Sequence, residues 1–493
     1  MKNYKLILVI TFCFLTANAF SQNIWYVSEN GNDSSGNGSE NNPWATISKA
    51  LNENSVLDND SIYIIGTITG DGEAEWGIQV MKDIIFIGES KETSIIQAAP
   101  SSSIANRRVF TIWDIADVQL INLSIKNGYF NSSSFQYGAG ILNWGNLSIS
   151  NCIIANNYCE TEFLGGGIYN QFGNLNLVNT YVNSNYSIFG GAGITNEGGT
   201  LVLENSSFAL NYCQQNLSGG GGLYITNAAN VSIVNCTFYY NLLGLNSFGS
   251  GIYIKASEGN VNLDIINTTI ADNEAGSGSS GLGIFIENET TNTVSLSLKN
   301  CILSNGSFSN FGQSGGGNIQ VNRSYSLCQD ASLPNGNTNG NIDNSDPLIE
   351  NFMNHGGLTP TCSIEQTSPA INSGTDIDAP DYDQRGMPRS QLTDMGSFEY
   401  QINTGIIKKP QNNTIYISPN PTHGFLKVSY LGNEYQLLQV CIYNSLGEKL
   451  LQCSKQSYYN QIHLDVSKLE KGIYFVELLS GEKRLGARSF ICK

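Results

Sequence analysis

Several residue types that would announce a common function are scarce in this 493-residue chain. Charged residues make up only 13%, and 24 Lys and Arg are outnumbered by 41 Asp and Glu. The imbalance is local: residues 22–400 carry 11 basic and 35 acidic side chains, whereas 414–493 carry 9 and 6. So acidic a main body is repelled by nucleic acid and by anionic lipid, which excludes both as partners. There are three histidines, two of them (His423 and His463) near the C-terminus, so no Ser-His pairing or histidine metal centre is suggested. Proline is rare (11), while 40% of residues are hydrophobic and 10% aromatic, a composition that excludes a disordered chain. Beyond the N-terminus no apolar run reaches the ~20 residues of a membrane-spanning helix.

At the N-terminus, Lys2 and Lys5 precede an apolar stretch at 6–15 and the small residues Ala17 and Ala19. That order is a secretory signal, residues 1–21, and predicts export across the inner membrane.

What the chain has in abundance is glycine, 52 residues, and much of it is periodic. A glycine-rich entry followed by an apolar residue recurs at Gly138-Ala-Gly-Ile141, Gly165-Gly-Gly-Ile168, Gly191-Ala-Gly-Ile194, Gly220-Gly-Gly-Leu223, Gly249-Ser-Gly-Ile252 and Gly281-Leu-Gly-Ile284. The steps are 27, 26, 29, 29 and 32 residues. Each unit then has a second segment ending in asparagine: Asn151, Asn179, Asn205, Asn235, Asn267 and Asn300. Residues two and four before that asparagine are apolar in all six units, the period-2 mark of a strand. The residue three after it is apolar again, and a further asparagine follows at Asn157, Asn185, Asn211, Asn241 and Asn273. Three short strands per unit, turned at asparagines, predict one coil of a parallel β-helix. Asparagine suits such corners because it tolerates a left-handed backbone and its amide can bond to the coil above. Stacking closes the ladder hydrogen bonds and buries a continuous core that no single coil could form. About ten coils fit between residue 22 and residue 328.

These repeats resemble the right-handed parallel β-helix superfamily, which includes pectate lyases, polygalacturonases and many surface adhesins. Gly190-Gly-Ala192 and the Phe-x-x-Asn at 208–211 and 238–241 are similar to the repeats of chlamydial polymorphic outer membrane proteins. The resemblance implies the right-handed coil. The opening of the mature chain, from Trp25 to Asp33 and from Pro43 to Leu51, is similar to the cap of such proteins, with a short helix expected at 46–51.

Cysteine register argues against most disulfides. Cys152, Cys236 and Cys301 share one position at separations of two or three coils. At ~4.8 Å per coil the closest of these pairs is ~10 Å apart, beyond the ~7 Å reach of a bridge. Cys159 and Cys213 are likewise two coils apart, and only a pairing such as Cys328 with Cys362 stays open.

Pectinases of this fold work on the outer face of one sheet. The corresponding strand here places two files outward: Leu142, Tyr169, Thr195, Tyr224, Tyr253, Phe285, and Trp144, Gln171, Glu197, Thr226, Lys255, Glu287. Its only carboxylates, Glu197 and Glu287, are about 14 Å apart, whereas paired glycosidase acids lie ~5–9.5 Å apart. No catalytic residue is identified. The aromatics Trp144, Tyr169, Tyr224, Tyr253 and Phe285 are candidates for stacking on a glycan or contacting a protein partner; alternatively they pack the ladder alone. The reading is an adhesin or glycan-binding scaffold, with a polysaccharide lyase or glycoside hydrolase as the alternative.

Residues 329–400 lose the repeat and form an acidic block. Asp376, Asp378, Asp381 and Asp383 could hold a structural Ca²⁺ through oxygen ligands, the one cofactor suggested; the alternative is Asp–Arg pairing and turn capping that seals the last coil. A linker (401–413) follows, and then seven short strand patterns at 414–493 predict a small Ig-like β-sandwich. Pro419, Asn420, Pro421, Gly424, Gly447, Gly472, Tyr474 and the basic end at Lys493 resemble the type A sorting domain of type IX secretion. That resemblance implies recognition by an outer-membrane translocon of Bacteroidota, and delivery to the cell surface or medium.

Overall fold

The structure is a computed structural model. It describes residues 23–401 without 74, 105, 132–135, 161–163, 215–218, 307–308 and 390–391. It also describes 415–418, 425–430, 437–444, 448–456, 461–469, 471–480 and 483–492. The expected signal segment 1–21 lies outside the described residues. Two compact units divide between Tyr400 and Gln401.

The first unit is a parallel β-solenoid of about nine turns. The alternating Leu and Ile of each asparagine-terminated segment point inward and stack in register. Leu147 pairs with Leu175, then Leu201, Val231, Leu263 and Leu296 follow in the same file, every pairing parallel. Both the glycine-entry strands and these strands join one 18-stranded sheet; the other two walls have 11 and 6 strands. One continuous apolar cluster runs inside from Val27 to Leu333. Each fully buried Leu or Ile contributes ~1.5–3 kcal/mol relative to exposure.

Asparagines do two different jobs. At the corners, Asn151, Asn179, Asn205, Asn235, Asn267 and Asn300 all have φ between 45° and 54°, the left-handed conformation that asparagine tolerates best among residues with a side chain. The second set lies inside and forms a hydrogen-bonded ladder. Each Nδ2 donates to the next Oδ1: Asn157 to Asn185 (3.0 Å), Asn185 to Asn211 (3.0 Å), Asn211 to Asn241 (2.9 Å), Asn241 to Asn273 (2.9 Å) and Asn273 to Asn305 (2.8 Å).

The residue after each corner must be small and must donate. Thr180, Ser206 and Thr268 give their hydroxyls to the carbonyl two residues back, at 3.1, 2.8 and 3.0 Å. Cys152, Cys236 and Cys301 do the same with their thiols, each at 3.3 Å.

A short helix, Ile47–Asn52, covers the first coil with Ile47, Ala50 and Leu51. Its start is fixed by Asp33, which accepts from Ala45 N, Thr46 N and Thr46 Oγ1 at 2.7, 3.1 and 2.7 Å.

The start of the acidic block lies on the last coil, where Leu333 joins the solenoid core and Asn335 Nδ2 donates to Val321 O at 3.1 Å, but the rest of the block continues past it. It folds back along the solenoid's flank: Thr375 N donates to Asn300 Oδ1 (2.9 Å), Arg389 Nη2 to Asn235 Oδ1 (2.8 Å) and Gln384 Nε2 to Ser207 Oγ (2.7 Å). At its far reach Lys91 Nζ donates to Leu358 O (2.6 Å). The cause is polar complementarity, since the corner asparagines and neighbouring hydroxyls offer a row of donors and acceptors that the block's side chains satisfy.

Among the described residues the second unit has seven antiparallel strands in two sheets. Ile415–Ser418, Phe425–Tyr430 and Gln461–Asp465 form one; Lys449–Gln456, Leu437–Tyr443, Gly472–Ser480 and Lys483–Cys492 form the other. Alternate residues such as Leu426, Val440, Val476 and Phe490 make its core.

Candidate functional site

The first outward file does not reach solvent. Leu142, Tyr169, Tyr253 and Phe285 are 1–4% exposed, and Tyr224 is half-buried. The glycine entries themselves cover them: a Cβ on Gly165 would sit 2.7 Å from Tyr169 Cβ, and one on Gly220 2.7 Å from Tyr224 Cβ. Tyr224 and Tyr253 stack at 5.2 Å with planes 13° apart. Tyr169, Tyr253 and Phe285 are therefore interior packing, not a contact surface. Tyr224 belongs with them, and burial pushes its phenol up to about 12.

The second file holds the carboxylates, and both are engaged. Glu197 accepts from the Tyr169 hydroxyl, from Gln171 Nε2 (3.2 Å) and from Asn227 Nδ2 (3.1 Å). Glu287 accepts from the Tyr253 hydroxyl and pairs with Lys255 Nζ at 2.8 Å. Burial works to raise the Glu287 pKa, but Lys255 and Tyr253 outweigh it and hold the carboxyl below its usual range. Each glutamate serves as a buried tyrosine's acceptor.

One aromatic cluster on this face is half-buried and keeps part of its ring surface in solvent. Trp113 and Trp144 occupy the same place on consecutive coils, with Trp144 N bonded to Ile112 O at 2.9 Å and Trp113 N to Val80 O at 3.1 Å. Their ring centroids are 5.0 Å apart, and Trp76 joins them at 5.8 and 6.2 Å. All three rings are half-exposed and lie outside the solenoid's apolar core. Arg108, fully buried, backs the cluster: its guanidinium lies 5.6 Å from the Trp76 ring and bonds Thr111 Oγ1 (3.1 Å) and Tyr137 O (2.6 Å). Trp144 Nε1 donates to Gln171 Oε1 at 2.6 Å. One coil further, Phe172 projects outward, 63% exposed.

Of these only Trp144 stands out in the sequence. Trp113 has the same offset from its strand, Phe110-Thr-Ile-Trp113 against Ile141-Leu-Asn-Trp144. Its coil, however, lacks the glycine entry that carries the alignment.

The four aspartates do not converge. Asp376 accepts from Thr393 N and Oγ1 (3.1 and 2.8 Å), Asp378 pairs with Lys299 (2.6 Å), and Asp383 pairs with Arg385 (2.6 Å). Asp381 contributes its backbone carbonyl to Arg389 N at 2.9 Å. Among the described residues no group of three or more His, Cys, Asp or Glu could hold a metal ion, so the Ca²⁺ expectation is corrected to aspartate–donor pairing. Arg389 and Glu399 form a second buried pair at 3.1 Å, and the Arg385 guanidinium lies 3.6 Å over the Phe398 ring. Cys328 and Cys362 are both free and buried, as are Cys152, Cys236 and Cys301, and Cys159 and Cys213 are buried too.

In the second unit, Gly472 opens a strand and Tyr474 is buried with its ring 5.7 Å from Phe490. Pro419, Asn420, Pro421, Gly424, Gly447 and Lys493 lie outside the described residues.

A long parallel solenoid followed by a separate antiparallel module is the plan of a passenger with its own delivery domain. Residues 414–493 match the family described as the secretion system C-terminal sorting domain. The chain is thus a type IX secretion cargo with a β-helix body, exported to the cell surface or extracellular space. No curated protein matches the chain. Among the described residues no helix is long and apolar enough to cross a membrane.

Proposed function

We propose that the exported chain is a binding scaffold of the adhesin type, contacting glycan at the cell surface or in the medium and performing no catalysis. The observation that carries this reading is the half-buried tryptophan cluster on a face whose strand carboxylates, Glu197 and Glu287, are both committed to structural hydrogen bonds. Exposed planar rings with polar edges are suited to sugar faces, and a rigid stacked scaffold holds them at fixed spacing without an ordering cost on binding. A lyase or hydrolase needs an acid–base pair or an activated base near the ligand, and Glu197 and Glu287 stand three coils apart, ~14 Å.

Incubation with acidic and neutral polysaccharides, with and without Ca²⁺, tests the reading. Retention of polymer without unsaturated products or new reducing ends is expected; either product would replace the scaffold with an enzyme. Deleting residues 414–493 should trap the chain in the periplasm, as read by fractionation. Unchanged export would separate the sorting module from delivery.

A further inference from the structure

The tryptophan cluster belongs to a longer file whose order defines a ligand. In register along the solenoid axis lie Met81, Trp113, Trp144, Gln171 and Glu197, one residue per coil. Coils repeat every ~4.8 Å, and the Trp113 and Trp144 rings keep that spacing at 5.0 Å. A linear molecule lying along the file meets apolar surface first and then an amide and a carboxylate. Pyranose rings in an extended polymer repeat at nearly the same interval, and their hydroxyls suit the polar end.

Two details show that the ledge is built beyond the needs of folding. Phe172 holds φ at 58°, a conformation that costs a residue with a side chain ~1–2 kcal/mol. The equivalent places in neighbouring coils are Gly145, Gly198 and Asn227. Despite that cost the Phe172 ring stays exposed beside the ledge, over Gly198, where a Cβ would come within 2.7 Å of it. Strain of this kind collects where a side chain serves a purpose other than stability. The second detail is the Trp113 indole N–H, which is shielded and has no hydrogen-bond partner among the described residues, so the ring is kept here at the cost of an unsatisfied donor.

Charge selects the ligand class. Glu73, Glu75 and Asp114 flank Trp76 and Trp113 in the chain, and Glu197 closes the far end. The cations near the ledge are already engaged: Arg108 is buried beneath the rings, Arg107 Nη1 donates to Gly70 O, Lys82 Nζ donates to Val56 O at 2.8 Å, and Lys255 is paired with Glu287. An acidic polymer would meet repulsion without a compensating partner.

We infer that the ledge of Trp76, Trp113, Trp144 and Phe172 binds an uncharged linear polysaccharide lying parallel to the solenoid axis, an inference that rests on the scaffold reading and deepens it. The test uses the full chain, affinity electrophoresis in soluble neutral glucan, mannan and galactan, and polygalacturonate and heparin as the acidic arm. The wild type should be retarded by at least one neutral polymer and by neither acidic one. Trp113→Ala and Trp144→Ala should each weaken retardation about tenfold. Phe172→Gly should weaken it severalfold while leaving the melting temperature unchanged or higher, which a merely structural role for Phe172 would reverse. Glycan binding that all three variants retain would overturn this site and leave the scaffold reading standing. Retardation by the acidic polymers alone would overturn the charge argument. No retardation by any polymer would overturn both readings, and tryptophan-dependent capture of a protein in its place would make the ledge a protein-binding surface.

Discussion

Asn211 sits in the middle of the internal ladder, fully buried, and its removal isolates what that ladder contributes. Its Nδ2 donates to Asn241 Oδ1 (2.9 Å) and Val182 O (3.1 Å); its Oδ1 accepts from Asn185 N and Nδ2 (3.1 and 3.0 Å). In Asn211→Ala the Asn185 backbone N–H loses that acceptor. The Asn185 amide keeps only Ile154 O, and Asn241 Oδ1 keeps only the Asn211 backbone N–H. A buried donor left unpaired costs ~1–3 kcal/mol, and two weakened bonds add ~0.5–1 kcal/mol each, giving ~2–5 kcal/mol in all. Asn174→Ala is the matched control. It removes bonds of similar kind, Asn174 Nδ2 to Asn146 Oδ1 at 2.8 Å and Thr200 Oγ1 to Asn174 Oδ1 at 2.5 Å, but on the exposed surface, where the loss is within ~0.5 kcal/mol. Solenoids open locally, so hydrogen exchange in peptides spanning 181–187 is the direct readout. Protection should fall at least about thirtyfold in Asn211→Ala and by less than threefold in the control. Equal losses would mean that the ladder is decoration on a core held by its aliphatic files.

Two further outcomes follow from burial. Desolvation pushes the thiols of Cys152, Cys236 and Cys301 up to about 12, so iodoacetamide at pH 8 should label none of them in the native chain and all three in denaturant; native labelling of any would contradict the register. Serine at these places should be tolerated, because it donates to the same carbonyl and can accept as well, whereas valine should cost about 1–3 kcal/mol where it takes the acceptor from a buried backbone N–H, as at Cys152, whose Sγ accepts from Leu123 N at 3.4 Å. In the flank block, burial raises Asp394 to about 6, with Glu399 adding to the rise. Its unfolded value is ~3.9, so the folded block holds the extra proton between these limits. Its stabilisation is complete below ~4 and is lost as pH rises through 6, on the order of 2 kcal/mol. Chemical denaturation at pH 5 and 7.5 should show the block weaker at the higher pH, and Asp394→Asn should flatten that slope; a slope unchanged in the variant would assign it elsewhere.

How much of this was legible depended on whether a residue's role is local. Asn151, Asn179 and Asn205 mark corners because a left-handed turn is a property of one residue and its neighbours, and period-2 alternation placed the inward files correctly. The second asparagine file is equally periodic, yet nothing in its spacing separates a buried ladder from another corner. That distinction is a matter of which side of the wall the amide lies on. The flank block was out of reach for a related reason. Its contacts pair residues 75 to 267 positions apart, and no repeat records them. The aromatic file is more instructive. Alternation puts Tyr169, Tyr253 and Phe285 outside the sheet, and that is where they are. Outside a sheet becomes inside the molecule when the segment leading into the strand folds over it, and only a segment without side chains can pass so close. Gly165 and Gly281, at φ 82° and 60°, pass within van der Waals contact of Tyr169 and Phe285, where any Cβ would clash. The glycine entries therefore carried the information that the rings they precede are covered. Trp144 escapes the same fate because it lies two residues further along its strand than Leu142, beyond the glycine cover and at the edge where the ledge begins.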